Sequence, residues 1–281
     1  MNSSYSYRLD GARALVTGAS RGIGAAIAEA FAAAGAQVVL AARSREASRR
    51  TAEQIREKMP DSLKTHQIAG DLADPAVAPR LVDEAVEFLG GLDILVHSAG
   101  VLPLDPQGNP VFKPLALSTV EEWEPVLAVN LSATVALCRA AHPHLLESER
   151  PSVLLVSSVA GLIGVPTMEA YGVTKSAQVS LARSLATGWA AQNIRVNVLC
   201  PGWVRTDMTA SVHGNEMLSG LLLQHVPMAR WAEPEEVSGP AVFLSSSAAS
   251  FITGHALVID GGLSVPHGGL ANIPTGPAPA A

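Results

Sequence analysis

Two residues that can exchange a proton, Tyr171 and Lys175, stand four positions apart. Positions i and i+4 lie on one face of a helix, so the phenol and the ammonium can point into the same pocket. A phenol has an ordinary pKa of about 10, and a nearby cation lowers that pKa toward neutral pH. Ser157 and Ser158 lie upstream, and a serine hydroxyl could hydrogen-bond a carbonyl or alcohol oxygen. These residues predict acid–base chemistry at a C–O centre, although the Y-x-x-x-K spacing alone is common on surface helices.

A glycine-rich turn near the amino terminus joins an apolar segment, residues 14–17, to an alanine-rich one, residues 25–31. Glycine lets backbone N–H groups approach a phosphate closely, and a helix N-terminus favours an anion. The alternative is a tight strand-to-helix turn without a ligand. A second strand, Gln37 to Ala42, follows at the spacing of a βαβ unit, which favours phosphate binding.

The glycine spacing is T-G-x-x-x-G-x-G, which differs from the G-x-G-x-x-G of the general dinucleotide fingerprint. Together with Ser158, Tyr171 and Lys175, it resembles the short-chain dehydrogenase/reductase family. The resemblance extends from about residue 9 to about residue 263. Further motifs stand in the family's order: Asn130 within V-N-L, P-G-x-x-x-T at 201–206, and V-I-D-G-G at 258–262.

The resemblance implies one α/β domain, residues 1–264, with a doubly wound Rossmann-type parallel sheet and helices on both faces. Segments 93–96 and 153–156 are continuously apolar, as strands buried on both faces are. Residues 265–281, rich in Pro, Gly and Ala, are predicted to be an irregular extension, with packing on a neighbouring subunit as the alternative. Helices are predicted at 45–59, 75–88 and 169–191, and from Ser118 or Thr119 toward Leu146, because a glutamate follows each of these two hydroxyl residues at the capping-box spacing.

The resemblance also implies a role for each catalytic residue. Tyr171 is expected to be the general acid in reduction and the base in oxidation, and Ser158 to hold the substrate oxygen. Lys175 is expected to lower the Tyr171 pKa and to bind the nicotinamide ribose. Asn130 is expected to bind a water that links Lys175 to solvent. A capping or kink-stabilising role for Asn130 is an alternative, and the two roles are compatible.

The end of the second strand bears on cofactor choice. An acidic residue there binds the ribose 2′-hydroxyl of NAD and repels a 2′-phosphate. Here the position is Ala42, followed by Arg43, and the resemblance places Arg21 on the same side. Two guanidiniums suit a phosphate, which favours NADP(H) over NAD(H). The alternative is that Arg43 and Arg45 are solvated loop charges.

Cofactor binding is expected along six segments of the chain. Asp71 matches the family's aspartate beside the adenine ring and is also a candidate helix cap. The family's N-N-A-G is replaced by H-S-A-G, and His97 is interpreted as a structural histidine in preference to a catalytic base. The expected residues are Gly18, Ser20, Arg21, Gly22, Ile23, Gly24, Arg43, Asp71, Leu72, Ser98, Ala99, Gly100, Tyr171, Lys175, Pro201, Gly202, Val204 and Thr206.

The segments expected to line the substrate pocket, namely 162–168, Trp203 and 207–226, are mostly apolar. This predicts an apolar ketone or secondary alcohol as the small-molecule substrate. A 3-oxoacyl-carrier reductase ranks second because residues 209–226 contain no Lys or Arg to meet an acidic carrier. A polyol or sugar dehydrogenase and a non-catalytic NADP-sensing protein are further alternatives. The long connection 101–117 is expected to shape the pocket.

Several classes of function are not expected. The first ten residues have no secretory h-region, and no stretch is apolar enough to span a membrane, so a cytoplasmic enzyme is predicted. The net charge of −6 gives no basic footprint for nucleic acid. Cys138 and Cys200 are interpreted as buried free thiols without metal ligation.

A homotetramer is predicted, with a dimer as the fallback. The family commonly pairs the two long helices across one two-fold axis and the final strand, 256–260, across another, and two isologous contacts generate D₂ symmetry. Small residues such as Ala182 and Ala186 are expected to let a second helix approach.

Overall fold

The computed structural model describes residues 6–58, 64–105 and 110–265. In this part of the chain, seven parallel strands form one sheet in the order β3-β2-β1-β4-β5-β6-β7. The strand order reverses between β1 and β4, and such a switch point is where open α/β sheets bind ligands, outside the carboxyl ends of the strands. The strands are β1 Arg13–Thr17, β2 Gln37–Ala42, β3 Thr65–Ala69, β4 Ile94–His97, β5 Ser152–Val156, β6 Arg195–Pro201 and β7 Ala256–Ile259.

Helices cover both faces of the sheet, as predicted. One buried cluster lies between the sheet and α3, α5 and α6, and a second lies between the sheet and α1, α2 and α9. Every residue of β5 is buried, which explains why the last four residues of the strand are all apolar. The helices are α1 Gly22–Ala33, α2 Arg45–Lys58, α3 Val77–Leu89, α4 Val120–Leu127, α5 Ala133–Leu146, α6 Glu169–Trp189, α7 Ala210–His213, α8 Glu216–Leu223 and α9 Pro234–Ser245.

The long helix predicted toward Leu146 is interrupted. A π-helical turn, Ala128–Ser132, separates α4 from α5, and π-bulges of this kind are frequent at functional sites. The capping box forms at Thr119, whose backbone N–H donates to the Glu122 carboxylate at 3.0 Å. Ser118 is not the cap, because its hydroxyl donates to Leu115 O at 2.9 Å.

Two other predictions are wrong in detail. Asp71 does not cap α3, which begins only at Val77; its carboxylate instead accepts from Ala73 N in a tight turn. Ala182 and Ala186 do not face outward, because both are buried in the chain's own core beneath α6. The predicted end of α2 at residue 59 and most of the extension, 266–281, lie outside the described residues.

The structure bears on three features considered in the sequence: membrane-spanning helices, metal-binding clusters and the two cysteines. In the described ranges, no helix is long and apolar enough to cross a membrane. No group of three or more His, Cys, Asp or Glu side chains in these ranges is arranged to hold a metal ion. Cys138 and Cys200 are buried free thiols, as predicted, and burial raises their pKa values to about 12 and about 11.

Candidate active site

The carboxyl end of β5 and the first turns of α6 bring Ser158, Tyr171 and Lys175 together. Ser158 follows β5 and caps a short 3₁₀ turn, where its Oγ accepts from Ala160 N at 3.1 Å. The Ser158 side chain lies near enough to the Tyr171 hydroxyl to lower the pKa of that phenol. The Lys175 Nζ lies 5.4 Å from the centroid of the Tyr171 ring. The serine, phenol and ammonium predicted from spacing therefore share one site.

The pKa values in this site differ from the sequence expectation. Burial raises the pKa of Tyr171 to about 12, and the nearby Ser158 side chain offsets this only in part. Burial also lowers the pKa of Lys175 to about 8. Desolvation is the largest cause for both groups, and it disfavours the charged form of each. The expectation that the Tyr171 pKa lies below its ordinary value is therefore wrong for the protein alone.

Lys175 is held by acceptors that carry no net charge. Its Nζ donates to Val156 O at 2.8 Å and to Gln178 Oε1 at 3.2 Å. Ser157 Oγ donates to the backbone carbonyl of Lys175 at 2.8 Å, which agrees with its interpretation as a structural neighbour. Gln178 was not identified from the sequence, although its i, i+3 spacing from Lys175 on one helix was available as a signal.

Asn130 lies within the π turn and is fully buried. Its side chain makes two hydrogen bonds with the backbone of Val101: Oδ1 accepts from Val101 N at 2.8 Å and Nδ2 donates to Val101 O at 2.9 Å. The Asn130 carbonyl accepts from Gln178 Nε2 at 2.8 Å and Thr134 Oγ1 at 2.7 Å. These contacts support the kink-stabilising role, because they tie the π turn to the segment that follows β4.

Gly100 stands at the meeting point of these residues. A Cβ added there would lie 3.4 Å from both Asn130 Oδ1 and Lys175 Nζ. The H-S-A-G segment therefore passes beside Lys175 without a side chain at its last position. His97 is buried in β4 with Nδ1 2.8 Å from Thr17 Oγ1. Burial and the Lys175 charge lower the pKa of His97 to about 3, which supports its structural interpretation.

The glycine-rich turn packs against the end of β4. A Cβ at Gly18 would lie 2.7 Å from Ala99 N, and one at Gly24 would lie 2.3 Å from Gly18 O. Helix α1 begins without a side-chain cap at Arg21 and without an acidic residue in its first turn. The N–H groups of that turn have no intrahelical partner, so they are suited to bind a phosphate. A dinucleotide pyrophosphate fits the residues that are present.

The segment after β6 approaches this turn from the other side. A Cβ at Gly22 would lie 3.1 Å from the Thr206 methyl carbon. Gly202 packs against Asp260, and Ser158 Oγ lies 3.4 Å from Pro201 O. Val204 is buried. The P-G-x-x-x-T motif therefore joins the serine of the site to the glycine-rich turn.

The two arginines expected to select the cofactor have different surroundings. Arg21 pairs with Asp207 at 3.1 Å, and both side chains are more than 60% exposed. Arg43 is exposed directly after β2, and none of the ion pairs found in the described ranges includes it. Asp71 is exposed beyond β3, whereas the Leu72 side chain is buried in the core.

The described parts of the 101–117 connection bring charge close to the site. Lys113 forms an ion pair with Glu122 of α4 at 2.6 Å. Both line a small cleft together with Thr167, Glu169 and Ala170, the last of which precedes Tyr171. Polar groups therefore stand beside the pocket that was expected to be apolar. Residues 106–109 of this connection lie outside the described part of the chain.

Similarity to known proteins agrees with this geometry. Residues 18–264 match a family model described as Enoyl-(Acyl carrier protein) reductase. The chain is 34% identical to gluconate 5-dehydrogenase of Gluconobacter oxydans over 92% of its length and 97% of the relative. It is 33% identical to the 3-oxoacyl-[acyl-carrier-protein] reductase FabG of Aquifex aeolicus over 91% of its length and 98% of the relative.

Among solved structures, a gluconate 5-dehydrogenase from Burkholderia cenocepacia, in complex with NADP and tartrate, superposes with a TM-score of 0.84. That chain is 30% identical, and the match covers 92% of this chain and 98% of the other. The sheet order, the site and these matches agree, and the chain belongs to the short-chain dehydrogenase/reductase family of oxidoreductases, which act on CH–OH and C=O groups.

Proposed function

We propose that this protein is an NADP(H)-dependent enzyme that interconverts a ketone and a secondary alcohol, with Tyr171 as the proton donor and acceptor. The observation that carries the proposal is that Ser158, Tyr171 and the buried Lys175 meet in one site, with the Lys175 Nζ 5.4 Å from the centroid of the Tyr171 ring. A bound nicotinamide supplies or accepts the hydride. The protein supplies the proton and the position of the reacting carbon.

Each residue has a distinct part in this proposal. Ser158 Oγ and the Tyr171 hydroxyl hold the substrate oxygen, and the tyrosine gives up its proton as the oxygen gains negative charge. Because the Tyr171 pKa is raised to about 12, the protonated form dominates at neutral pH, which suits a proton donor in reduction. Lys175 stabilises the phenolate that remains. Asn130 fixes the backbone after β4 at Val101.

NADP(H) is proposed over NAD(H) because cations and no carboxylate follow β2. Arg43 is exposed there and Ala42 occupies the acidic position. Arg21 forms an exposed ion pair with Asp207, and such pairs contribute about 0–1 kcal/mol, so its guanidinium can turn to a 2′-phosphate at small cost. The NADP in the Burkholderia cenocepacia relative supports the same choice.

Two substrate classes remain in the proposal. Exposed apolar side chains at Leu162, Met208 and Leu221 favour an apolar ketone. The Lys113–Glu122 pair and Glu169, beside Ala170, favour a polyol or hydroxy acid, in line with the gluconate dehydrogenase relative. A carrier-linked 3-oxoacyl substrate ranks lower because residues 209–226 contain no Lys or Arg.

A homotetramer is proposed for the assembly, with a dimer as the fallback. Val173 on α6 and Val135 on α5 are exposed apolar residues on the two helices expected to pair. Phe251 is fully exposed and Val258 of β7 is partly exposed, which suits a second contact. The two free thiols fit a reducing compartment such as the cytoplasm.

The direct experiment is a turnover panel. Apolar cyclic ketones, keto-gluconate-type sugar acids, tetritols and an acyl-carrier-linked 3-ketone are each assayed with NADPH and NADH in both directions. The proposal expects turnover with at least one free ketone or alcohol and higher kcat/KM with NADPH. Turnover with the carrier-linked ketone alone would reject the substrate class, and a preference for NADH would reject the cofactor choice.

A further inference from the structure

The Gln178 side chain connects Lys175 directly to the backbone of the π turn. Its Oε1 accepts from Lys175 Nζ at 3.2 Å and its Nε2 donates to Asn130 O at 2.8 Å. Nε2 also lies 3.1 Å from Thr134 Oγ1, which itself donates to Asn130 O. These four side chains are all buried, so bulk water does not compete for their hydrogen bonds.

The chemistry of the neighbours fixes which way the Gln178 amide points. An ammonium can only donate and a backbone carbonyl can only accept, so the amide oxygen must face Lys175 and the NH₂ group must face Asn130. The reverse orientation would oppose donor to donor and acceptor to acceptor. A glutamine satisfies both partners, whereas a leucine satisfies neither and an ionised glutamate satisfies only Lys175.

The charges around Lys175 make this bridge significant. The titratable groups that face it are Tyr171 on its own helix, Cys200 on β6 and His97 on β4. The pKa values of Tyr171, at about 12, and Cys200, at about 11, keep both groups neutral at pH 7, and the His97 pKa of about 3 does the same. The ammonium is therefore held by two neutral acceptors, Val156 O and Gln178 Oε1.

Resting on the proposed oxidoreductase function, we propose that Gln178 is a positioning residue that fixes Lys175 beside Tyr171 and Gly100 by a direct side-chain bridge to the Asn130 carbonyl. The family resemblance led us to expect a water between Asn130 and Lys175. The Gln178 amide makes a direct connection between the same two groups, and both of its ends are fixed by hydrogen bonds.

Three substitutions test the bridge, and Gln192→Leu is the matched control. Gln192 carries the same side chain on the surface, where it contacts His142 at 2.9 Å. Gln178→Leu keeps the approximate size and removes both hydrogen bonds. Gln178→Glu keeps the acceptor for Lys175 and adds a negative charge. Gln178→Ala removes the amide and leaves polar groups around the gap, which is a setting that can hold a water.

Gln178→Leu is expected to lower kcat by about 10- to 100-fold, because a hydrogen bond to a charged group is lost. The alkaline limb of its pH profile, where kcat/KM falls as the pH rises, is expected to move to lower pH. The reason is that the lost acceptor favoured the charged form of Lys175. Gln178→Glu is expected to move the same limb to higher pH. Gln178→Ala is expected to retain more activity than Gln178→Leu, because water can replace the amide. The control is expected to match the wild type.

The dissociation constant of NADPH, measured by fluorescence, gives a readout besides turnover and is expected to rise in Gln178→Leu. A folded Gln178→Leu with wild-type kcat, alkaline limb and NADPH affinity would overturn the proposal. The proposal would also be overturned if the alkaline limb of kcat/KM moved in the same direction in Gln178→Leu and Gln178→Glu, because a packing defect alone would then explain both shifts. If the wild type turns over no substrate, the proposed function fails, and NADPH affinity still decides the role of Gln178. If Gln178→Leu does not fold, Gln178→Glu decides: a shift of its alkaline limb to higher pH supports the proposal, and an unmoved limb would overturn it.

Discussion

Replacing Gly18 with alanine tests whether the glycine-rich turn needs its close approach to β4. Gly18 and Gly90 have nearly the same left-handed backbone, with φ of +69° and +74°. An added Cβ would lie 2.7 Å from Ala99 N at Gly18, whereas nothing lies within 4 Å at Gly90. Both alanines cost left-handed strain of roughly 1–2 kcal/mol. Only Gly18→Ala adds an overpacking cost, typically about 1–3 kcal/mol, against backbone that cannot rotate away.

The free energy of unfolding is therefore expected to fall by about 1–2 kcal/mol in Gly90→Ala and by about 2–5 kcal/mol in Gly18→Ala. Urea unfolding of both variants and the wild type at one protein concentration measures the difference. NADPH fluorescence titration is expected to show weakened binding for Gly18→Ala alone. Equal losses of stability in the two variants, or unchanged NADPH affinity in Gly18→Ala, would refute the reasoning.

Three further predictions concern the cofactor, pH and assembly. Ala42→Asp combined with Arg43→Ser is expected to shift the ratio of kcat/KM values toward NADH, and an unchanged ratio would contradict the strand-end argument. The free energy of unfolding of the wild type is expected to rise, relative to that of Lys175→Met, as the pH increases from about 8 to about 10.5. The reason is that the folded state gives up the Lys175 proton at a lower pH than the unfolded state does. Urea unfolding of both proteins across this pH range measures the difference, and no such rise would contradict the prediction. Light scattering is expected to show that Val173→Glu and Phe251→Lys each reduce the assembly, and a wild-type monomer would reject the tetramer.

The sequence predicted the sheet and the site because its strongest patterns are local. Continuous apolar runs gave the buried strands, and one helix carries both Tyr171 and Lys175. The π turn at Asn130 was not predicted, because it depends on long-range hydrogen bonds with Val101 and Gln178. Propensity and spacing carry no information about partners so distant along the chain.

Burial explains two of the remaining errors, and turn chemistry explains the third. The spacing of Ala182 and Ala186 on α6 cannot tell a face that meets the chain's own sheet from one that meets a second subunit. The direction of the Tyr171 pKa was also wrong, because desolvation depends on the packing around the phenol. The Asp71 error arose because an aspartate can close a tight turn as readily as it caps a helix.

The central claim is that Tyr171 transfers the proton, and Tyr171→Phe tests it most directly. This change keeps the ring and removes the hydroxyl alone. With saturating NADPH and the best ketone from the panel, we expect the rate of NADPH oxidation to fall by about 10²- to 10⁴-fold, while the dissociation constant of NADPH stays near the wild-type value. A folded Tyr171→Phe variant that oxidises NADPH at close to the wild-type rate would contradict the account.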